Sequence, residues 1–209
     1  DGVWWMYKSG NQNEYFSELF ICRLGEKLGF DMAYYEMDDG YIRTRNFTDG
    51  TPYNFEPMSS LVGENDDYSD CFDTIYAISP DLAKQFLKIL WLDSVCYNMD
   101  RHTENYGFLR DFRTGDIVSM APNYDNNIAL IARGYPNNVD REHDGLIRFF
   151  RDFVYSNQTA KTMYKEMELP EISEAMIDEC FEQIPIEVHC DFVKAFILNG
   201  QRIIQKIIS

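Results

Sequence analysis

Histidine, basic residues and long apolar runs are all scarce in this 209-residue chain. Three histidines are too few for a histidine-rich zinc site. Lysine and arginine total 19 against 35 aspartates and glutamates, and the net charge of −16 disfavours contact with nucleic acid or an anionic membrane. No apolar run approaches the roughly 18 residues of a membrane span. We therefore expect no membrane span and no nucleic-acid binding by this chain alone.

Cysteine is sparse and irregularly spaced. The five cysteines form no C-x-x-C pair, and their odd number predicts free thiols in a reducing compartment. The sequence shows no signal peptide, so a cytoplasmic location is expected. A hydrophobic content of 45% with 15% aromatic residues is typical of a folded globule. The excess of acidic residues suits a partner with basic segments, and a solvated acidic surface is the alternative explanation.

The most informative segment is polar and lies between a long apolar helix and a short strand-like run. Residues 97–109 are Y-N-M-D-R-H-T-E-N-Y-G-F-L, which places Asp100, His102 and Asn105 in a D-x-H-x-x-N arrangement. An aspartate and an asparagine five residues apart match the protein-kinase catalytic loop, where the aspartate receives a hydroxyl proton and the asparagine holds a metal. Asp125 of A-P-N-Y-D-N, twenty residues further on, would be the second metal ligand. The alternative is a solvated polar loop.

The N-terminal residues predict a strand followed by a helix. The strand covers residues 3–8, V-W-W-M-Y-K, and ends at Lys8. The helix covers about 14–28, with apolar residues at helical spacing and Glu18 at the margin of the apolar stripe. Glu18 is therefore expected to face the sheet and pair with Lys8, as active kinases require. Plain surface charge is the alternative for both residues.

The next residues predict a hairpin and then a hinge. Two strands within residues 31–48 are joined by Asp38-Asp39-Gly40, and Asp-Gly between alternating apolar runs is a strong hairpin signal. The second strand runs into T-D-G-T-P, which cannot remain regular and suggests a hinge between two lobes.

The rest of the chain is predicted to be mostly helical. The acidic segment 63–73 is expected to be a solvated connector, and Ser79-Pro80-Asp81 starts a core helix with a serine cap and a proline in the first turn. A loop over 133–145 is expected to be mobile and to offer a place for substrate, and four helices follow from residue 146. The pattern predicts an α+β fold with a small antiparallel sheet lobe over 1–50 and a helical C-terminal lobe over 51–209. Because the sequence opens at Asp1 rather than at methionine, the first lobe is expected to be incomplete.

These residues together resemble the HipA-like kinases, a bacterial branch of the protein-kinase-like fold. The strand lysine of that family is similar to Lys8 in W-M-Y-K, and its helix signature is similar to S-E-L-F-I-C-R-L-G, which places the family glutamate on Glu18. Its D-x-H-x-K-N loop is similar to the segment that begins at Asp100. Its L-x-P-x-Y-D motif is similar to M-A-P-N-Y-D, which ends at Asp125. The likeness spans roughly residues 4–130.

The resemblance implies a protein-kinase-like two-lobed fold and transfer of the γ-phosphate of ATP to a serine or threonine hydroxyl of a protein, including the chain itself. It implies Mg²⁺ held by Asn105 and Asp125, with Asp100 orienting the acceptor hydroxyl and taking its proton. It also implies an antitoxin-like partner, as in a toxin–antitoxin system.

The same resemblance implies the nucleotide contacts. Lys8, oriented by Glu18, would neutralise phosphates that are not transferred. The backbone near Asn46 and Phe47 would meet the edge of the adenine. His102 either fixes the loop through a hydrogen bond or contacts the γ-phosphate.

Several features of the sequence keep other functions open. Glu104 stands where the family has lysine, which reverses a charge near the nucleotide and allows a nucleotide-binding pseudokinase. Asp100-Arg101-His102 also matches the D-R-H of phosphoinositide 3- and 4-kinases, which allows a lipid substrate. A third possibility is an acidic interaction module in which Asp100 and Asp125 lie far apart. The phosphate-covering loop of the family precedes the lysine strand, where this sequence has seven residues.

Overall fold

The N-terminal sheet presents Lys8 at the end of its edge strand. The computed structural model describes residues 2–132 and 144–208. Three strands form an antiparallel sheet in the order β1-β3-β2: β1 (Trp5–Lys8), β2 (Tyr35–Asp38) and β3 (Tyr41–Arg45). Asp39 and Gly40 close the β2–β3 hairpin with φ values of 48° and 82°, the conformation that favours Asp-Gly turns. The predicted strand and hairpin are confirmed.

Helix α1 (Gln12–Lys27) packs beneath this sheet and is buried along most of its length. It begins two residues before the predicted start because the side chain of Asn11 accepts hydrogen bonds from the N–H groups of Asn13 and Glu14, and Glu14 bonds back to Asn11. This capping box satisfies N–H groups that would otherwise lack partners. Gly29, at a φ of 72°, follows the helix end in the left-handed conformation that glycine commonly adopts there.

A second antiparallel sheet follows the hinge, in the order β4-β5-β6: β4 (Tyr53–Pro57), β5 (Gly107–Asp111) and β6 (Ile117–Met120). Strand β5 begins in the strand-like run expected after the polar segment, whereas β4 was not predicted. The β4 backbone passes so close to Gly107 that a Cβ atom there would collide with the carbonyl oxygen of Glu56. Glycine at this position therefore allows the sheet to form.

The acidic segment 63–73 is not a connector throughout, so this prediction was wrong in part. After the short helix α2 (Ser59–Val62), helix α3 (Tyr68–Ile78) begins inside the acidic segment. Asp67 caps α3 by accepting hydrogen bonds from two backbone N–H groups, and Phe72 and Ile75 are fully buried. The acidic residues cover the outer face of a helix whose inner face is apolar.

The C-terminal part is helical, as predicted. Helix α4 (Pro80–Cys96) begins at the Ser79 cap and is largely buried. Four further helices follow: α5 (Gly145–Ser156), α6 (Gln158–Glu166), α7 (Glu174–Glu182) and α8 (Cys190–Ile208). Of the predicted substrate loop, residues 133–143 lie outside the described ranges. No helix within those ranges is both long and apolar enough to cross a bilayer.

Hydrogen bonds between residues 31–33 and Asn123 bring the two sheets together. The N–H of Ala33 donates to the carbonyl of Asn123 at 2.9 Å, and the N–H of Asn123 donates to the carbonyl of Asp31 at 2.8 Å. This short parallel contact places the residues after β6 beside the N-terminal sheet. The first sheet ends at Arg45 and the second begins at Tyr53. The division into lobes at residue 50 stays a prediction.

Candidate active site

Lys8 lies between two carboxylates from distant parts of the chain. Its Nζ atom is 2.6 Å from Oε2 of Glu18 on α1 and 2.5 Å from Oδ1 of Asp125, 117 residues away. The Glu18 side chain is only 1% exposed, whereas that of Lys8 is 21% exposed. Burial by itself lowers the pKa of Lys8, but the charges of Glu18 and Asp125 outweigh burial and raise it above its ordinary value. Lys8 is therefore a fixed cation with one side open to solvent.

The backbone at Asp125 has an uncommon conformation. Its φ is 60°, in the left-handed region that residues other than glycine rarely adopt. Hydrogen bonds hold this turn, because the N–H of Asp125 donates to the Tyr35 hydroxyl at 3.3 Å and the N–H of Asn126 donates to Glu18 at 2.8 Å. Burial raises the pKa of Tyr35 well above its usual range, so its hydroxyl remains neutral. Backbone conformations of this kind cluster at functional sites.

The segment from Asp100 to Asn105 is held by its own hydrogen bonds. The side-chain Nδ2 of Asn105 donates to the carbonyl of Asp100 at 2.7 Å, and its N–H donates to the carbonyl of His102 at 2.8 Å. Nδ1 of His102 accepts from the N–H of Glu104 at 3.3 Å, so this histidine contributes to fixing the loop. Because Asn105 uses its amide nitrogen within the loop, its amide oxygen is the side-chain atom that could hold a metal.

Arg101 is a residue whose importance the sequence analysis missed. Its side chain is 1% exposed and pairs with Asp93 of α4, with Nε to Oδ2 at 2.8 Å and Nη2 to Oδ1 at 3.0 Å. Burial by itself lowers the pKa of Arg101, but the Asp93 carboxylate outweighs it, and the pKa lies above its ordinary value. Asp93 was the available signal, since it is an isolated acid in the apolar run L-W-L-D-S-V-C.

The same guanidinium connects two loops, residues 100–105 and residues 123–126. Its Nη1 donates to the carbonyl of Asn105 at 2.5 Å and to the carbonyl of Tyr124 at 2.8 Å. Its Nη2 also donates to side-chain oxygens of Asn123 and Asn126, at 2.9 and 2.8 Å. Asp125 lies between two of these partners in sequence, and Asp100 directly precedes Arg101, so both aspartates are tied to one buried group.

A cavity of about 530 Å³ opens beside Lys8, within the usual size range of small-molecule sites. Lys8 and Asp125 contribute charged groups to its lining. Phe47, Phe55 and Tyr124 also line it, and their rings contact one another with centroids 5.6 to 6.0 Å apart, two of the three pairs edge to face. The cavity therefore combines aromatic surface with charged groups.

The two predicted adenine contacts differ in what their backbones can offer. Asn46 and Phe47 both line the cavity. The N–H of Asn46 donates to the carbonyl of Trp4 at 3.0 Å, and its carbonyl accepts from Asp49 at 3.2 Å. Across the described residues, the Phe47 backbone makes no such hydrogen bond. Phe47 is thus the better placed of the two to meet a base edge.

The oxygen donors fit magnesium better than a structural metal. Asp125 and Asn105 offer a carboxylate and an amide oxygen, which are hard ligands. No group of three or more histidine, cysteine, aspartate or glutamate side chains that could hold an ion occurs within residues 2–132 and 144–208. Mg²⁺ commonly takes one or two protein ligands and completes its shell with phosphates and water. The donor set therefore fits Mg²⁺ bound together with a nucleotide.

The structure brings the predicted residues together to different degrees. Lys8, Glu18 and Asp125 are in direct contact, and Asn46 and Phe47 share their cavity. The loop that carries the other three is joined to the Asp125 segment through the buried arginine; these three are Asp100, His102 and Asn105. The chemical roles assigned to these residues stay predictions.

Two small antiparallel sheets and a largely helical C-terminal part agree with a protein-kinase-like fold. The family model of the HipA-like C-terminal domain matches residues 3–187, and the chain belongs to that family. No match was found among curated proteins.

Two solved structures support the same fold. The chain is similar to the Helicobacter pylori proinflammatory kinase CtkA, with a TM-score of 0.70 and 18% identity over 97% of this chain and 86% of CtkA. It is also similar to HipA of Shewanella oneidensis MR-1, from a toxin–antitoxin system with HipB and operator DNA, with a TM-score of 0.64 and 14% identity. That match covers 100% of this chain and 59% of HipA. At such identities the likeness shows the fold alone.

Proposed function

We propose that this chain is a magnesium-dependent kinase that transfers the γ-phosphate of ATP to a serine or threonine hydroxyl of a protein. The observation that carries the proposal is the convergence of Lys8, Glu18 and Asp125 beside an aromatic-lined cavity, which Lys8 and Asp125 line. Buried charges must be paired or bind a metal, and here the single cation of Lys8 faces two carboxylates from distant segments, an arrangement typical of functional sites. Membership of the HipA-like family supports the same conclusion.

The cavity accounts for nucleotide binding. The adenine ring would lie against Phe47, Phe55 and Tyr124, and the free Phe47 backbone would bond to its edge. Lys8 would turn its ammonium to the phosphates while Glu18 keeps it in position. This arrangement supplies charge where phosphoryl transfer needs it.

Asp125 and Asn105 would hold the metal through their side-chain oxygens. Bound Mg²⁺ supplies neutralising charge to the phosphate oxygens during transfer. The buried hydrogen bonds around Asp125 and the internal bond of Asn105 fix both donors before any ligand arrives. Such preorganisation avoids a reorganisation cost at the moment of reaction.

Asp100 would orient the acceptor hydroxyl and accept its proton. Its backbone N–H bonds to the Asn98 side chain at 3.3 Å and its carbonyl to the side chain of Asn105, so its backbone is held on both sides. The side chain is half-buried and open to an incoming group. General-base assistance of this kind contributes about two to four orders of magnitude to a rate.

Charge and family membership indicate the partners. A net charge of −16 suits a protein substrate with basic segments around the acceptor hydroxyl. The similar HipA acts with HipB in a toxin–antitoxin system, and we extend an antitoxin-like partner to this chain as part of the proposal. All five cysteines lie in the described ranges and are free thiols, which supports a cytoplasmic location.

Two alanine variants test the proposal by separating binding from transfer. Asp125→Ala should weaken the binding of magnesium and a non-hydrolysable ATP analogue, and abolish transfer with it. Asp100→Ala should keep nucleotide affinity within about threefold while transfer falls by at least about 100-fold. Calorimetric titration beside an ADP-release assay measures both quantities.

The control is Asp178→Ala, since Asp178 contacts Lys194 on the surface between α7 and α8. Equal losses of affinity in the Asp100 and Asp125 variants would show that their assigned roles are wrong. Tight magnesium-dependent binding by the wild type without any ADP release would identify a pseudokinase, the alternative that Glu104 leaves open.

A further inference from the structure

The guanidinium of Arg101 has more buried partners than a structural ion pair needs. Its five N–H donors make six hydrogen bonds, of which two go to Asp93. The Arg101 and Asp93 side chains are 1% and 4% exposed. The other four hydrogen bonds go to acceptors in residues 100–105 and 123–126, and none goes to a helix. Arg101 is therefore placed to hold the loops relative to each other.

Each loop is held next to its proposed active residue. On one side, Arg101 follows Asp100 directly and bonds to the carbonyl of Asn105. On the other side, it bonds to the carbonyl of Tyr124 and the side chain of Asn126, the two neighbours of Asp125. The rigid, planar guanidinium of Arg101 thus joins residues 100–105 to residues 123–126.

The residues around Asp125 keep unfavourable features that hold them in place relative to Arg101. Asn123 and Asn126 both turn their side-chain oxygens towards Arg101, and the Nδ2 atom of each is buried without a hydrogen-bond partner within the described residues. Asp125 between them has its φ at 60°. Unpaired buried donors and left-handed backbone are both unfavourable, and they occur together where the surroundings impose a geometry.

We propose that Arg101, held by Asp93, is a positioning residue that sets the placement of Asp125 relative to Asp100 and Asn105. The proposal rests on the proposed kinase function for its consequences. It requires no contact with nucleotide or acceptor, because Arg101 is enclosed by protein. Outer residues that orient metal ligands typically change metal affinity or activity by about 10- to 100-fold when replaced.

A paired replacement separates positioning from folding. Arg101→Ala alone would leave the Asp93 charge buried and unpaired, and the protein would unfold too easily to be informative. The double variant Asp93→Leu/Arg101→Met removes both charges and fills the space with apolar atoms, a change that buried pairs often tolerate. Arg101→Lys is the second variant, since it keeps the charge opposite Asp93 but cannot reach both loops with three donors. The matched control is Asp178→Asn/Lys194→Gln, an ion pair on the surface.

Amide exchange measures the positioning without any ligand. In the wild type, the N–H of Asn126 is buried and bonded to Glu18, so it should exchange slowly. In the double variant and in Arg101→Lys, we expect this amide to exchange at least about 30-fold faster, while amides in the buried middle of α4 change little. The control pair should leave the Asn126 amide unchanged.

Ligand binding gives the second readout. The double variant should bind the non-hydrolysable ATP analogue with magnesium at least about tenfold more weakly, with a smaller change when magnesium is replaced by EDTA. Its kcat should fall more than its KM rises. Unchanged Asn126 exchange in both variants, with magnesium-dependent affinity within threefold of wild type, would overturn the positioning role. If the wild type binds no magnesium nucleotide, the kinase proposal fails, and amide exchange still decides whether Arg101 holds the loops.

Discussion

Replacing Lys8 with methionine should destabilise the protein because it leaves Glu18 buried without its cation. Breaking a buried ion pair by removing one partner costs about 3 to 5 kcal/mol. We expect about 3 kcal/mol, the low end of that range, because the Lys8 side chain is 21% exposed and the N–H of Asn126 still donates to Glu18. For a chain of this size that loss lowers the melting temperature by roughly 6 to 12 °C.

The loss should depend on pH in a defined direction. In the wild type, the pKa of Lys8 lies above its ordinary value of 10.5 despite burial, because of Glu18 and Asp125, so the stabilisation is complete below that pH and is lost only as pH rises through the folded value. In the variant, two adjacent carboxylates lack their cation. The stability difference between the wild type and the variant should therefore be full at pH 8 and smaller at about pH 11, where Lys8 of the wild type begins to lose its proton.

Urea unfolding followed by circular dichroism at both pH values measures this effect. The double variant Lys8→Met/Glu18→Gln should regain most of the stability at pH 8, because the buried charge is gone. Lys27→Met is the matched control, since the carboxylate that Lys27 contacts on Glu179 is 59% exposed and should matter little. A stability difference that does not shrink between pH 8 and about pH 11, or no recovery in the double variant, would refute the assignment of Glu18 as a buried anion held by Lys8.

Three further changes test the fold. Asp67→Ala removes the α3 cap and should cost about 1 kcal/mol in urea unfolding, and an unchanged midpoint would contradict the cap. Gly107→Ala forces a Cβ atom against the backbone of Glu56 and should cost at least about 2 kcal/mol, and a neutral result would mean that β4 does not pair there. Among the cysteines, exposed Cys190 should react rapidly with a thiol reagent at pH 8. Cys22 should react slowly, because burial raises the pKa of its thiol to about 12. Cys190→Ser should abolish the rapid phase of the reaction, and persistence of that phase would contradict this assignment.

Short-range patterns were enough to predict much of the fold. The Asp-Gly turn, the Ser79 cap and the alternation that ends at Lys8 each depend on neighbouring residues, and each was located correctly. Strand β4 was missed because it is short, ends at Pro57 and gains its partner from Gly107, fifty residues later. Helix α3 was missed because its acidic outer face dominates the sequence, while its cap is a single aspartate, Asp67.

In the candidate site, too, local patterns predicted contacts near in sequence but not those between distant segments. The pairing of Lys8 with Glu18 followed from the position of Glu18 on a helix stripe, so it was accessible from the sequence. The Arg101 network was not, because its partners come from α4 and from residues after β6, and no local spacing connects them. Only an isolated acid in an apolar helix, Asp93, indicated that a buried cation must lie nearby.

Phosphate transfer from γ-labelled ATP tests the central claim most directly. The wild type, Asp100→Asn and an EDTA-treated sample are incubated with serine- and threonine-containing peptides that carry basic residues, and label on peptide and on the chain itself is counted. The account predicts magnesium-dependent labelling by the wild type and a fall of at least about 100-fold in Asp100→Asn, with nucleotide binding retained. Labelling by Asp100→Asn at the wild-type rate, or no magnesium-dependent transfer by the wild type to peptide or to itself, would contradict it.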